Sequence, residues 1–480
     1  VILGRLRDGK VTLTEVHRFA NTPIRTPDGL HWNLPGLYSE ILAGLRAVGS
    51  GSTGPIDSVG IDSWAVDYGL VDEAGRLLGM PYHYRDARTD GVAEAVTTVV
   101  SRSEQYERTG IAQLPFNTLY QLVAQREAGD PALSLASSLL LMPDLLTYWL
   151  TGRRVTEYTN ASTTGALRVD GIWDGEMLER LGLPARIFLP PAQPGTEVGG
   201  LRNDVERETG CSGVRVVLPA SHDTAAAVAA VPVTGAAGRH AYISSGTWSL
   251  LGLELTRPML SEEARQAGFT NEGGAGGTVR TLRNIMGLWL LQECRRSWAR
   301  SGTTWSYEEL LARADALPSP GVVIDVDVPS FLHPPDMPAA IAAQIRQTGQ
   351  VVPEDHGALT RVILEGLALE YRQTLESAER LAGVSVEVVH VVGGGSRNRF
   401  LCQLTADACE RPVLAGPVEA TALGNVLTQM LGREVRDIGE IHEVAARSSD
   451  PVRYEPRPTL DWAERAHRLE AMRPLTEVRA

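Results

Sequence analysis

Apolar and polar residues alternate over Ile2–Leu6 and again over Val11–Phe19, on either side of Asp8-Gly9. A period of two broken by a turn pair predicts a β-hairpin. The period then lengthens: Leu34, Leu37, Ile41, Leu42 and Leu45 share one face of a helix predicted over Leu34–Val48. Ser58–Asp62 and Val66–Asp72 predict two strands, the second turned by Glu73-Ala74-Gly75. Helical spacing returns at 92–107, 116–127, 132–151 and 174–182. Val214–Leu218 is a short apolar strand that runs through Pro219-Ala220-Ser221-His222-Asp223-Thr224 into an alanine-rich helix, Ala225–Ala230.

Turn-forming residues cluster at Pro232–Gly238 and predict a boundary there. Beyond it, Ala241–Ser245 and Trp248–Glu254 form a second strand–turn–strand unit. Helices are predicted at 284–301, 306–316, 337–348 and 355–382. Val386–Val392 is a continuous apolar strand ending in Gly393-Gly394-Gly395, followed by a helix from about Arg397 to Ala408, a strand Val413–Ala415 and a helix across 419–431. Each half thus repeats a strand–polar turn–strand unit and a strand–loop–helix unit. The expectation is an α/β protein of two related domains around a central cleft, 1–235 and 236–450, with a tail at 451–480 whose helix packs back.

Composition narrows the chemistry. The chain has 480 residues, 43% hydrophobic and 21% charged, enough to bury sizeable cores. A net charge of −13 with interspersed signs, and no basic run of five, argues against nucleic acid and anionic membrane as partners. The longest apolar stretch, Leu139–Leu150, is broken by Pro143-Asp144 and too short to span a bilayer. Of the four cysteines, Cys402 and Cys409 fall on one predicted helix, roughly 10 Å apart along its axis. That is too far for a disulfide, and a reducing cytoplasm is expected. Lys10 is the only lysine, and its surroundings match neither a P-loop nor a Schiff-base site. Phosphate must then be held by backbone N–H groups, hydroxyls, arginine or a metal.

Three segments can carry chemistry. In Ser221-His222-Asp223-Thr224, a carboxylate at the carboxyl end of a strand and in the first turn of a helix is placed as a general base. The same Ser-x-Asp-Thr pattern is a good helix cap, and position alone leaves both readings open. Ser244-Ser245-Gly246-Thr247-Trp248-Ser249 offers consecutive N–H groups and hydroxyls, either an anion nest or a plain hairpin tip. Gly393-Gly394-Gly395 after a buried strand permits close approach of a nucleotide, although Asn398 replaces the last glycine of a dinucleotide fingerprint. No zinc-type ligand set is present, and adjacent Ser221-His222-Asp223 cannot form a triad.

With Gly60-Ile61-Asp62-Ser63-Trp64-Ala65-Val66-Asp67, Tyr84-Arg85-Asp86-Ala87-Arg88-Thr89, Leu114-Pro115-Phe116-Asn117-Thr118, Glu157-Tyr158-Thr159-Asn160-Ala161, Asn271-Glu272-Gly273-Gly274, Asn284-Ile285-Met286-Gly287-Leu288-Trp289-Leu290-Leu291-Gln292 and Gly416-Pro417-Val418-Glu419-Ala420, these segments resemble the FGGY carbohydrate kinases, which include glycerol kinase and xylulokinase. The likeness runs from the first hairpin to about residue 455. It implies two domains of the ribonuclease H-like fold shared by actin and hexokinase, closing over a ketose and ATP with Mg2+. It implies Asp223 as catalytic base, Ala65, His222, Thr224 and Asn284 at the sugar, Thr247 at ATP phosphate, and Gln292 and Gly394 along the nucleotide. The implied reaction is γ-phosphoryl transfer to O1 of L-rhamnulose by a cytoplasmic monomer or weak oligomer. L-Fuculose, a pentulose, or an inactive sugar- or nucleotide-binding regulator are the alternatives. Two departures stand out. No D-x-G-[AST]-S-x-G-R phosphate loop precedes residue 50, so a segment carrying it is expected upstream of Val1, and Ala65 replaces a customary glycine.

Overall fold

The computed structural model describes residues 1–51, 54–233, 239–332, 334–458 and 460–473. In the N-terminal half, β1 (Ile2–Arg7) and β2 (Lys10–Glu15) form the expected antiparallel hairpin. Asp8 and Gly9, at φ 51° and 70°, supply the two left-handed positions that a tight hairpin turn requires. Helix α1 (Leu34–Gly49) is capped by the Asn33 side chain, which accepts from Gly36 N, and buries Leu34, Leu37, Leu42, Leu45 and Val48. The expected strand Ser58–Asp62 shortens to β3 (Ser58–Val59). It joins β4 (Glu197–Gly200) and β5 (Arg215–Val217) in the order β4-β5-β3, with β5 and β3 parallel. Strands β1 and β3 border a cavity of about 960 Å³ whose walls include Ile2, Gly4, Leu6, Ser58, Gly60 and Ile61.

Two predicted helices break. The stretch 132–151 is a short helix Ala132–Leu135, a strand Ser138–Leu141 and a helix Met142–Thr151. The strand wins because it is the antiparallel partner of Tyr68–Val71, and Pro143 suits only the first turn of the helix that follows. The stretch 92–107 splits into Val92–Thr97 and Arg102–Thr109 because the Ser101 side chain accepts from Glu104 N and starts a new helix.

The crossing into the C-terminal half runs through α2 (Asp223–Ala229). The expected boundary at Pro232–Gly238 falls largely on residues 234–238, outside the described residues. The C-terminal half is built on seven strands: β6 (His240–Ser245), β7 (Trp248–Leu255), β8 (Thr270–Gly273), β9 (Val279–Met286), β10 (Val388–Val392), β11 (Val413–Ala415) and β12 (Val452–Tyr454). Their order is β8-β9-β7-β6-β10-β11-β12, with β6, β10 and β11 parallel. Asn284, expected to begin a helix, lies instead in β9, opposite Leu250 of β7. The strand persists because all of Val279–Met286 pairs with β7 and Val279–Leu282 pairs with β8 as well, and the chain breaks only at Gly287, where a Cβ would lie 2.6 Å from the Trp248 carbonyl carbon.

Helices cover both faces of this sheet. Ala241, Ile243, Leu251 and Ile285 pack against α3 (Trp289–Arg300), α4 (His356–Ala382) and α5 (Arg399–Cys409). Tyr242, Leu282 and Val392 pack against α2, α6 (Ala420–Gln429) and α7 (Ile438–Ser448). The last described helix, α8 (Trp462–Met472), adds Trp462 and Leu469 to the first of these cores. All four cysteines are buried and free. Among the described residues, no helix is long and apolar enough to cross a membrane.

The halves meet along two seams. The α2 and α6 backbones touch at Gly424, where a Cβ would lie 1.7 Å from the Ala226 carbonyl oxygen. The hairpin rests on α6 and α7: Gly4 faces Val426, Val11 N donates to Ser448 Oγ (2.8 Å), and Arg447 Nε donates to the Gly9 carbonyl (3.0 Å).

Candidate active site

Strand β5 delivers the chain to Ser221-His222-Asp223, and backbone bonds fix that segment. Ser63 N donates to the Ser221 carbonyl and Asp223 N to the Ser63 carbonyl, each at 2.9 Å. Beneath it lies Glu157, fully buried and accepting from Thr159 N (2.8 Å), Thr159 Oγ1 (2.7 Å), Asn160 N (3.0 Å), Ser221 N (3.2 Å) and Ser221 Oγ (2.6 Å). Burial raises the Glu157 pKa, and these donors oppose the rise. A buried acceptor held by five donors is an anchor for this segment.

The Asp223 side chain is 47% exposed, whereas His222 and Thr224 are buried. Thr224 Oγ1 donates to Asp223 Oδ1 at 3.1 Å, and His222 Nε2 lies 3.5 Å from the same oxygen. On the far side of the ring, His222 Nδ1 faces two residues of the C-terminal sheet, Arg280 Nη2 at 3.1 Å and Glu272 Oε2 at 3.3 Å. Arg280 is wholly buried, donates from Nε to the Gly273 carbonyl (3.0 Å), and pairs through Nη1 with Glu272 (3.0 Å). Burial pushes the Glu272 carboxyl up, but the Arg280 charge and His222 outweigh it and the net shift is downward.

The turn Trp64-Ala65-Val66-Asp67 adjoins Ser63. Val66 sits at φ 66°, a costly conformation for a β-branched residue. Its carbonyl is held by Thr118 Oγ1 at 2.6 Å, and the buried Asp67 carboxylate holds the rest. Asp67 accepts from Trp32 Nε1 (2.6 Å), Trp64 Nε1 (3.0 Å), Tyr84 N (3.1 Å) and Gln121 Nε2 (2.9 Å). Burial nevertheless raises its pKa to about 6. Trp32 packs between Trp64 and His83, at ring-centroid distances of 3.9 and 4.1 Å, which makes an aromatic wall beside Ala65. Arg85 reaches from this wall to the C-terminal half, its guanidinium 4.5 Å from the ring centroid of Trp289.

The third cluster lies at the end of the C-terminal sheet. Because β6 and β10 are parallel neighbours with Ser244 opposite Val392, the Ser245–Thr247 turn and the Gly393–Gly395 loop emerge side by side. A Cβ on Gly395 would lie 2.0 Å from Ser245 Oγ, whereas one on the exposed Gly394 would meet nothing within 4 Å. Thr247 is exposed at the turn, and its carbonyl accepts from Trp289 N at 3.0 Å, which seats α3 and with it the half-buried Gln292.

Asp223, His222 and Thr224 therefore stand together, as do Thr247 and Gly394, with Gln292 on the adjoining helix. Ala65 is tied to Asp223 through Ser63. Asn284 shares a face of β9 with Arg280, but four residues further along, roughly 13 Å at strand rise, towards the Thr247 end. Sequence reading carried Asp67, Glu157 and Glu272 only as members of the family's motifs, without the roles seen here, and missed Arg280. Asp62 too was carried only as a motif member, a carboxyl that accepts from Asn425 Nδ2 of α6 and whose pKa burial and the Asp223 charge raise to about 7. The available signal was a charged residue in line with apolar ones at a spacing of two, as at Arg280 with Leu282 and Met286.

Two α/β halves with a carboxylate between them and a glycine-lined sheet end define a class. The chain belongs to the FGGY family of carbohydrate kinases: the family's N-terminal domain model matches residues 7–230 and its C-terminal domain model residues 241–432. Within that family it is similar to rhamnulokinases. That of Bacteroides thetaiotaomicron is 43% identical over 463 residues, covering 96% of this chain and 94% of the relative. That of Oceanobacillus iheyensis is 38% identical over 456 residues, covering 95% of each. The fold matches a xylulose kinase from Rhodospirillum rubrum (TM-score 0.77, 16% identity, 98% of this chain and 95% of the other). It also matches Plasmodium falciparum glycerol kinase with ADP (TM-score 0.74, 14% identity, 96% and 91%). The expected α/β fold of two domains is thereby established.

Proposed function

We propose that this chain transfers the γ-phosphoryl group of ATP to O1 of L-rhamnulose, giving L-rhamnulose 1-phosphate and ADP. The observation that carries the reading is the half-exposed Asp223 carboxylate, fixed by Ser63 and Thr224 in a chain 43% identical to a rhamnulokinase over 96% of its length. Asp223 takes the proton of the attacking hydroxyl, a contribution of about 10²–10⁴-fold in rate. His222 and Thr224 orient the ketose, and the Trp64–Ala65 turn walls it. Thr247 and Gly394 flank the nucleotide phosphates through hydroxyl and backbone, in keeping with a chain whose only lysine is Lys10, and Gln292 lies further along the nucleotide. Phosphoryl transfer depends chiefly on positioning and on charge stabilisation, so closure that excludes water protects the phosphoryl group for the sugar.

Mg2+ bound to the ATP phosphates would neutralise charge there. We place the division between sugar and nucleotide domains at 235/236, the tail from 451, and the enzyme in a reducing cytoplasm as a monomer or weak oligomer.

The test is kcat/KM with MgATP for L-rhamnulose, L-fuculose and D-xylulose, with the site of phosphorylation read by 31P NMR. L-Rhamnulose is expected to lead. Turnover of none of the three sugars overturns the kinase reading, and another ketose in first place overturns only the sugar. In Ala65→Gly the ranking should shift by at most about 10–200-fold, the range of one methyl group in a pocket.

A further inference from the structure

The contacts of His222 on its two sides are unequal in kind. Towards the solvent-facing carboxylate it presents Nε2, 3.5 Å from Asp223 Oδ1. Towards the protein interior it presents Nδ1, 3.1 Å from Arg280 Nη2 and 3.3 Å from Glu272 Oε2. Arginine is always protonated and carries only donors. A guanidinium N–H aimed at Nδ1 therefore requires a lone pair there, and the single proton of a neutral imidazole then sits on Nε2. Glu272 alone would favour the opposite tautomer, with Nδ1–H donating to it and a bare Nε2 facing the Asp223 carboxylate, lone pair against negative charge. Arg280 removes that alternative twice over: it occupies Nδ1, and it engages the Glu272 oxygen through Nη1 at 3.0 Å. Its own freedom is small, since it is wholly buried and its Nε is tied to the Gly273 carbonyl at 3.0 Å.

We propose that Arg280 is a positioning residue for the phosphoryl transfer: by donating to Nδ1 of His222 it fixes the Nε2–H tautomer, which faces Asp223 and keeps that carboxylate oriented as proton acceptor. This rests on the proposed kinase function for its catalytic consequence, but the tautomer itself does not. Arg280 and Glu272 belong to the adjacent strands β9 and β8 of the C-terminal sheet, whereas His222 and Asp223 enter from the N-terminal half. The orientation of the base is thus assembled from both halves. With the arginine fork removed, the tautomer populations mix, the carboxylate keeps Thr224 Oγ1 but loses the N–H that faces it from His222, and the attack geometry loosens.

The first measurement is made on the intact wild-type chain, with 15N-labelled histidine and His222→Gln for assignment. Two-bond 1H–15N correlations distinguish the tautomers, and Nε2–H is expected at His222. Arg280→Gln should convert this signal to Nδ1–H or to a mixture and lower kcat by about 10²-fold, the scale of a 1 Å misplacement, with KM for ATP little changed. In the His222→Gln background, which has no tautomer to choose, Arg280→Gln should cost less than about twofold more, a strongly non-additive cycle. Nδ1–H in the wild-type chain overturns the proposal without any variant having to fold. An unchanged tautomer in Arg280→Gln, or fully multiplicative losses in the cycle, overturns it too. Should the chain turn over no ketose, the proposed function fails, and the histidine spectrum still decides this inference.

Discussion

Replacing Asp223 by asparagine separates a catalytic from a capping role. In the wild-type site the carboxylate accepts from Thr224 Oγ1 at 3.1 Å and faces His222 Nε2 at 3.5 Å, while the backbone bond from Asp223 N to the Ser63 carbonyl is independent of the side chain. An asparagine carbonyl oxygen can keep both side-chain contacts, and the position is 47% exposed, so no cavity or buried charge is created. The expected change in folding stability is therefore within about 0.5 kcal/mol. The amide cannot take up the proton of an attacking hydroxyl, which removes a base worth about 10²–10⁴-fold, or roughly 2.7–5.5 kcal/mol of barrier. Turnover is followed by coupled detection of ADP with saturating ketose and MgATP, beside the melting temperature and the calorimetric Kd for ADP. The expected pattern is a collapse of kcat with Tm and ADP affinity unchanged. Retention of more than about a tenth of wild-type kcat would falsify the base assignment, and a large fall in Tm would return Asp223 to a structural role.

Other outcomes follow from single contacts. Asp62 has its folded pKa raised from the model-peptide value to about 7, chiefly by burial and with a contribution from Asp223, so its proton is held more tightly in the folded than in the unfolded state. The stability this lends is present at low pH and is lost as pH rises through about 7. Asp62→Asn should accordingly gain stability relative to wild type between pH 5 and pH 8, and a stability difference independent of pH contradicts the assignment. Gly424→Ala should lower Tm although alanine is intrinsically the better helix former by about 1 kcal/mol, because its Cβ would lie 1.7 Å from the Ala226 carbonyl oxygen. A rise in Tm would show that the helices part easily.

What the chain discloses by itself depends on how local the deciding interaction is. The hairpin at Asp8-Gly9, helix α1 and the long helix α4 are specified by neighbours in sequence, and each was legible. The strand Ser138–Leu141 was not, because its apolar residues suit either period and only pairing with Tyr68–Val71, some seventy residues away, decides the matter. The same holds for Asn284, whose strand is secured by its full-length pairing with Trp248–Leu255. Among the candidate site residues, Asp223, Thr247 and Gly394 could be singled out because they stand next to a strand end, but position left their roles open and only the family resemblance assigned them. Arg280 and Asp67 did not, since their significance lies in what they hold, His222 in one case and the indoles of Trp32 and Trp64 in the other. A buried charge is recognisable from sequence only as a violation of pattern, and its purpose requires the partner.

The hairpin that bridges the halves has a practical consequence for labelling. Of 45 lysine and arginine residues, only Lys10 carries a side-chain primary amine, and it is exposed at the start of β2. It stands between Gly9, whose carbonyl accepts from Arg447 on α7, and Val11, whose N–H donates to Ser448 on the same helix. An amine-reactive fluorophore thus finds a single side-chain address, and that address is the line where the N-terminal hairpin meets the C-terminal half. Attached there, a dye sensitive to its surroundings reports on the contact between the halves as sugar or nucleotide is added, with no engineered cysteine and with the native residues of the site untouched.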